Sequence, residues 1–134
     1  MPTFSVSSQE KLRTAHPSLQ LVFNEVIKHW DCIILEGFRG QASQDAAFAN
    51  GSSQLKWPNG KHNHIPSLAV DCVPWPVKWN DVNQMRFFAG FVVGVAKGLG
   101  VTLRWGGDWD RDFELEDNRF NDFPHYEIVL ETPQ

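Results

Sequence analysis

Residues 17–35 read PSLQLVFNEVIKHWDCIIL, and the change of rhythm inside this stretch decides the architecture. Up to Trp30 the apolar side chains Leu19, Val22, Phe23, Val26, Ile27 and Trp30 recur at three- and four-residue intervals, the mark of one buried stripe on an α-helix. Pro17 suits the first helical position, where its missing N–H costs nothing. Asp31 breaks the stripe. Cys32-Ile33-Ile34-Leu35 then runs apolar without interruption and reads as a short buried strand, ended by Gly37.

The same reading extends outward in both directions. Upstream, Ser7 and Glu10 fit a capping box that opens a short first helix. Downstream, Gln41 to Asn50 is Ala-rich and reads as helix, and the polar, turn-rich segment Gly51 to Pro66 as a long loop. Leu68 to Val73 is a second strand, stopped by Pro74 and Pro76. Asp81 can cap a helix running to about Leu99, with Met85, Phe88, Val92, Val95 and Leu99 on its inner face and Gly100 as its stop. Val101 to Trp105 is a third strand, Gly106 to Pro124 a second long polar loop, and His125 to Leu130 a fourth strand. Helices thus stand beside a few short strands, which predicts an α+β domain: a small, largely antiparallel sheet with helices packed on one side.

Composition narrows the classes of function. The chain has 134 residues, which predicts one domain over residues 1–134 with no linker or second module. Hydrophobic residues make up 42% and charged residues 21%, so a packed core is expected and global disorder is excluded. No apolar run approaches the roughly 18 residues that a membrane-spanning helix needs, so no membrane insertion is expected. Twelve Lys and Arg against 16 Asp and Glu give a net charge of -4, which argues against nucleic acid as a partner. Cys32 and Cys72 lie in strand-like apolar contexts and are expected to be free buried thiols, with a disulfide as the alternative. Met1 to Leu12 lacks the basic and apolar regions of a signal peptide, which predicts synthesis in the cytoplasm.

Histidines and acids gather at the ends of the two long loops. Lys61-His62-Asn63-His64 is followed by Asp71, and the second cluster, Asp122-Phe123-Pro124-His125-Tyr126-Glu127, runs into the fourth strand. If the second and fourth strands pair, these groups meet. Two imidazoles and a carboxylate form a common zinc set, and a second carboxylate nearby would serve as general base. No helical H-E-x-x-H motif is present. Taken singly, His-x6-Asp and Asp-x-x-His are weak patterns: Asp71 could be an edge charge, and Asp122 a turn acid. His16 and His29 flank the amphipathic helix and read as surface or capping residues. Asp108, Asp110 and Asp112 alternate as Ca2+ ligands can, but without the glycine and terminal Glu of an EF-hand, so a solvated acidic loop up to Asp117 is the competing reading.

Several motifs in order carry a resemblance. Glu36-Gly37-Phe38-Arg39 precedes a helix with Gln41 and Gln44; then come His64-x6-Asp71 with Ala69, Trp105-Gly106-Gly107-Asp108-Trp109, and Asp122-Phe123-Pro124-His125. In this order and spacing they resemble the zinc peptidases of bacterial cell-wall peptide, which include D-alanyl-D-alanine carboxypeptidases and phage L-alanyl-D-glutamate endolysins. The short chain and the Trp-Gly-Gly-Asp-Trp segment are most similar to the endolysin branch. That family's pattern is Ser-x-His-x-x-Gly-x-Ala-x-Asp followed by acid-x-x-His. The resemblance implies Zn2+ held by His64, Asp71 and His125, with Asp122 as general base and Arg39 as the stabiliser of the carbonyl oxygen. Gln44, His62, Trp105, Asp108 and Trp109 become candidate substrate contacts. Trp75 and Trp79 are further candidates for groove walls. Where the family has Ser and Gly, this chain has His62 and Ser67. His62 reads as a loop residue, with an alternative ligand or a substrate contact as its other uses.

The implied activity is phage-endolysin cleavage of the L-alanyl-D-glutamate bond in the peptidoglycan stem peptide. It would come from a monomer that waits in the host cytoplasm until it reaches the wall. A D,D-carboxypeptidase with the same zinc chemistry and a non-catalytic wall-binding domain are the alternatives.

Overall fold

The computed structural model describes residues 2–116 and 120–130. Four helices and four strands follow one another as α1 (Val6–Leu12), α2 (Pro17–Val26), β1 (Cys32–Glu36), α3 (Gln41–Ala49), β2 (Ala69–Pro74), α4 (Val82–Gly98), β3 (Leu103–Trp105) and β4 (His125–Ile128). A single 3-10 turn, Lys61–Asn63, interrupts the long loop before β2. The sheet has the order β1-β2-β4-β3, and every pair is antiparallel. The α+β architecture and its element order therefore follow the sequence reading, with most boundaries shifted by a residue or two and α2 ending at Val26, four residues before the expected Trp30.

Local chemistry sets the helix starts. Ser5, rather than Ser7, caps α1, its hydroxyl accepting from the Ser8 N–H at 3.1 Å. Ser8 is buried, and its own hydroxyl accepts from the Ile34 N–H at 3.0 Å, tying α1 to β1. His16 caps α2 through Nδ1, which accepts from the Ser18 N–H at 3.0 Å, and Pro17 holds the first turn. Asp81 caps α4 by accepting from the Gln84 N–H at 3.0 Å.

Because side chains alternate across a strand, the sheet has two chemically different faces. One face carries Cys32, Ile34, Val70, Cys72, Leu103, Trp105, Tyr126 and Ile128, all buried in the hydrophobic core. Phe23 of α2 meets Tyr126 edge-on with ring centroids 5.6 Å apart, and Phe88 of α4 meets it at 6.4 Å. Leu19, Val22, Phe23 and Val26 are completely buried, as the helical stripe requires. Cys32 and Cys72 are buried free thiols. The opposite face carries Asp71, Arg104, His125 and Glu127. Asp71 pairs across the ladder with His125, and Arg104 with Glu127. The apolar face holds the domain together, and the polar face is left for chemistry.

Candidate active site

Three side chains converge on the polar face. His62 Nε2 lies 3.0 Å from Asp71 Oδ1 and 3.2 Å from His125 Nδ1, and His125 Nδ1 lies 3.4 Å from the same Asp71 oxygen. The three atoms form a nearly equilateral triangle with a shared centre, so His62, Asp71 and His125 could hold a metal ion.

The far nitrogen of each ring is already occupied. His62 Nδ1 lies 2.7 Å from the Gly37 carbonyl, and His125 Nε2 lies 2.9 Å from Glu127 Oε1. Both acceptors suit an N–H on the outer nitrogen, so a neutral ring that ligates a metal would turn the lone pair of its inner nitrogen to the centre. A hydrogen-bonded outer nitrogen is the usual way a protein fixes the tautomer and tilt of a ligating histidine. Glu127 is buried and lies 3.5 Å from Arg104 Nη1. Gly37 allows its carbonyl to reach His62 because it has no side chain: a Cβ there would collide with the Lys11 carbonyl and the Thr14 hydroxyl.

His64 is not in this cluster. It follows the 3-10 turn in extended conformation (φ -76°, ψ 156°) and is exposed, with Ile65 and Pro66 also exposed beside it. The family's seven-residue spacing singles out His64, but this chain makes a longer excursion before β2. The turn Lys61–Asn63 directs His62 inward. It is fastened by the Arg39 N–H donating to the His62 carbonyl (2.8 Å) and by Asn63 Nδ2 donating to the Arg39 carbonyl (3.1 Å). The structure thus corrects the expected inward position of His64 and brings His62 into the cluster, in keeping with its alternative reading as a ligand rather than as a plain loop residue.

Asp122 stands beside the triangle, its Oδ2 3.8 Å from His125 Nδ1. The turn that carries it closes with the His125 N–H donating to the Asp122 carbonyl at 3.0 Å. Gly106 clasps this turn, donating to the His125 carbonyl and accepting from the Asp122 N–H, both at 2.8 Å. Burial and then the negative charge of Asp71 push the Asp122 carboxyl up to about 6, against the opposing pull of His125, His62 and Arg39. Burial works against charge on His125 as well. Hydrogen bonds to Asp71 and Glu127 and the charges of Asp71 and Asp122 win, and raise its imidazole to about 9. Burial would raise Asp71, but the charge of His62 and the hydrogen bonds from His125 and His62 hold it well below the usual carboxylate range. Local electrostatics therefore favour positive charge at the centre of the triangle.

Arg39 completes this wall. Its Nη2 lies 3.4 Å from Asp71 Oδ2, its Nη1 donates to Gln44 Oε1 at 3.2 Å, and its Nε lies 3.6 Å from Glu36. The cluster opens onto a cleft of about 470 Å³ whose lining includes Arg39, Lys61, Trp109, Phe120, Asp122 and Glu127.

The remaining expected substrate contacts divide. Trp109 lines the cleft, its ring centroid 5.4 Å from that of His125. Gln44 borders the cleft but is saturated: Nε2 donates to Ser53 Oγ (3.0 Å) and the Leu55 carbonyl (2.6 Å), and Oε1 accepts from Arg39 and Asn63. It braces the loops instead of offering a group to substrate. Trp105 belongs to the core, only 5% exposed, with Nε1 donating to the Phe123 carbonyl at 2.7 Å. Asp108 is outside the cleft lining, and Trp75 and Trp79 are exposed away from it. Asp108, Asp110 and Asp112 have carboxylate oxygens within 4.8 Å of one another, and this loop is solvent-exposed, as acid clusters without an ion also are. Asp117, the expected end of that loop, lies outside the described residues. Glu127 and Lys61 stand within the two sequence clusters but carry no assigned role there. The alternation His125-Tyr126-Glu127-Ile128 carried the signal for Glu127, since it places Glu127 on the face of His125.

A buried His/Asp/His triangle, an adjacent acid and an open cleft on the polar face of a small antiparallel sheet define a hydrolase-type centre. The profile of the phage L-alanyl-D-glutamate peptidase family matches residues 2–129, and the chain belongs to that family. It is 32% identical over 119 residues to the L-alanyl-D-glutamate peptidase of Escherichia phage T5, covering 85% of this chain and 86% of that one. It is 29% identical over 112 residues to the peptidoglycan L-alanyl-D-glutamate endopeptidase CwlK of Bacillus subtilis (strain 168), covering 74% of this chain and 61% of that one. The crystal structure of the L-Ala D-Glu endopeptidase ChiX of Serratia marcescens superposes with a TM-score of 0.73 at 27% identity, covering 95% of this chain and 90% of that one.

Proposed function

We propose that this chain is a zinc-dependent endopeptidase that cuts the L-alanyl-D-glutamate bond of the peptidoglycan stem peptide, with His62, Asp71 and His125 as the metal ligands. One observation carries the metal assignment. The three donor atoms are 3.0, 3.2 and 3.4 Å apart. Ligand atoms bound about 2.0–2.1 Å from a tetrahedral zinc are separated by about 3.3 Å. Two nitrogens and one oxygen also form a donor set that zinc accepts readily, leaving its fourth position open.

Bound Zn2+ would supply Lewis-acid chemistry, polarising the scissile carbonyl and bringing water to ionise near neutral pH. The residues of the chain would do the rest. Asp122 takes a proton from the attacking water as its oxygen bonds to the alanyl carbonyl carbon. It returns that proton to the glutamyl nitrogen as the C–N bond breaks. Its place beside the triangle, 3.8 Å from His125 Nδ1, suits both transfers. Arg39, permanently charged, donates to the carbonyl oxygen as negative charge grows there. Trp109 and Phe120 wall the cleft. All these groups come from one chain, which makes a monomer sufficient for the reaction.

The names of the relatives support the L-alanyl-D-glutamate bond over the D-alanyl-D-alanine bond, and the phage relative supports an endolysin that reaches the wall from the host cytoplasm. No helix among the described residues is long and apolar enough to cross a membrane. The test is digestion of defined peptidoglycan followed by mass spectrometry, with and without EDTA. New N-terminal D-glutamate, lost on chelation and restored by zinc, is the expected result. Release of D-alanine alone, or full activity in metal-free protein, would refute the proposal.

A further inference from the structure

We infer that Lys61 reads the free carboxylate of the substrate's glutamyl residue and so sets specificity on the leaving-group side of the cut. This inference rests on the endopeptidase reading above. Whichever of its two carboxyls carries the peptide onward, a glutamyl residue keeps the other, a few bonds from the scissile nitrogen. A site for such a substrate needs a cation beside the reacting centre, placed where it can pair with that anion.

Two basic side chains line the cleft, Arg39 and Lys61. Arg39 is already engaged by Asp71, Glu36 and Gln44. The Lys61 ammonium has no ion pair or side-chain hydrogen bond among the described residues, and the residue is half-buried. Its backbone is fixed, because the carbonyl of Lys61 accepts from the Leu68 N–H at 3.0 Å and the residue opens the 3-10 turn that delivers His62. It therefore lies one residue from a proposed metal ligand and shares the cleft lining with it. Asp110, Asp122 and Glu127 make the rest of the titratable lining acidic or metal-facing, so a carboxylate entering the cleft is repelled there and attracted at Lys61. A charge-assisted hydrogen bond in such a place is worth roughly a tenfold to hundredfold preference.

The experiment uses the zinc-loaded protein and two synthetic L-alanyl-D-glutamyl peptides, identical except that the free glutamyl carboxylate is a carboxamide in one. Wild type should favour the carboxylate by about tenfold or more in kcat/KM, through KM rather than kcat. Lys61→Met should lower that ratio to near unity, and Lys61→Arg should retain most of it. Equal zinc content in the three proteins shows that the shift belongs to recognition and not to the metal. A wild-type ratio near unity overturns the inference without any variant, and so does an unchanged ratio in Lys61→Met. Cleavage of neither peptide by wild type instead overturns the endopeptidase reading, and this inference with it.

Discussion

Asp71 and His125 are direct cross-strand partners, one on β2 and one on β4, with their side chains meeting on the face of the sheet turned away from the core. The register that buries Val70 against Tyr126 on one face therefore sets a carboxylate against an imidazole on the other. Slipping either strand by one residue would exchange the faces and destroy core and site together. Folding and site assembly are thus one event for these two side chains, whereas His62 arrives from a loop.

The loop ligand separates two histidines that are two residues apart in the chain. His62→Ala should abolish both zinc content and peptidoglycan cleavage, while His64→Ala should keep both near wild-type levels. Elemental analysis of the purified variants, with a lysis assay, decides between them. Zinc retained in His62→Ala and lost in His64→Ala would reverse the assignment.

Asp122 is expected to act on protons and not on the metal. Asp122→Ala should retain zinc and lose about 100- to 10,000-fold in kcat, the usual range for a positioned acid–base group. His125→Ala should lose metal and activity together. Parallel metal analysis and kinetics on a defined stem peptide check the pair, and unimpaired turnover in Asp122→Ala would exclude it as the base.

Glu127 acts through His125, accepting from Nε2 at 2.9 Å. Glu127→Ala should weaken zinc binding by about 10- to 100-fold, as removal of such outer partners does. Competition with a chromophoric chelator measures the change. Unchanged affinity would mean that the ring is held by packing alone.

Gly106 is expected to be intolerant of any side chain, since a Cβ there would overlap the Asp122 backbone carbonyl. Gly106→Ala should cost about 1–3 kcal/mol of stability, the range for overpacking a tight site. It should also lower activity at temperatures where circular dichroism shows the variant folded, because the turn carrying Asp122 and His125 must move. Denaturant unfolding and a lysis assay on the same preparation test both halves. Wild-type activity in a fully folded variant would show that the turn accommodates the methyl group without consequence.

What the sequence determined by itself is local and periodic. The stripe from Leu19 to Val26, the caps at His16 and Asp81, and the apolar runs of the strands each depend on neighbours a few residues away, so helices, strands and the α+β class could be read directly. The alternation in β2 and β4 likewise placed Asp71, His125 and Glu127 on the face away from the core, although it left Glu127 without a role. The tertiary structure alone decided which histidine turns inward. His62 and His64 have the same chemistry, and the choice between them is made by Gly37 and Arg39, residues distant in sequence that fix the direction of one short turn, Arg39 partly through Asn63. It alone also sent Trp105 into the core while Trp109 faces the cleft, and saturated Gln44 with four hydrogen bonds. Periodicity reports which way a regular element faces; an irregular loop has no period, and its side chains point where distant partners hold them.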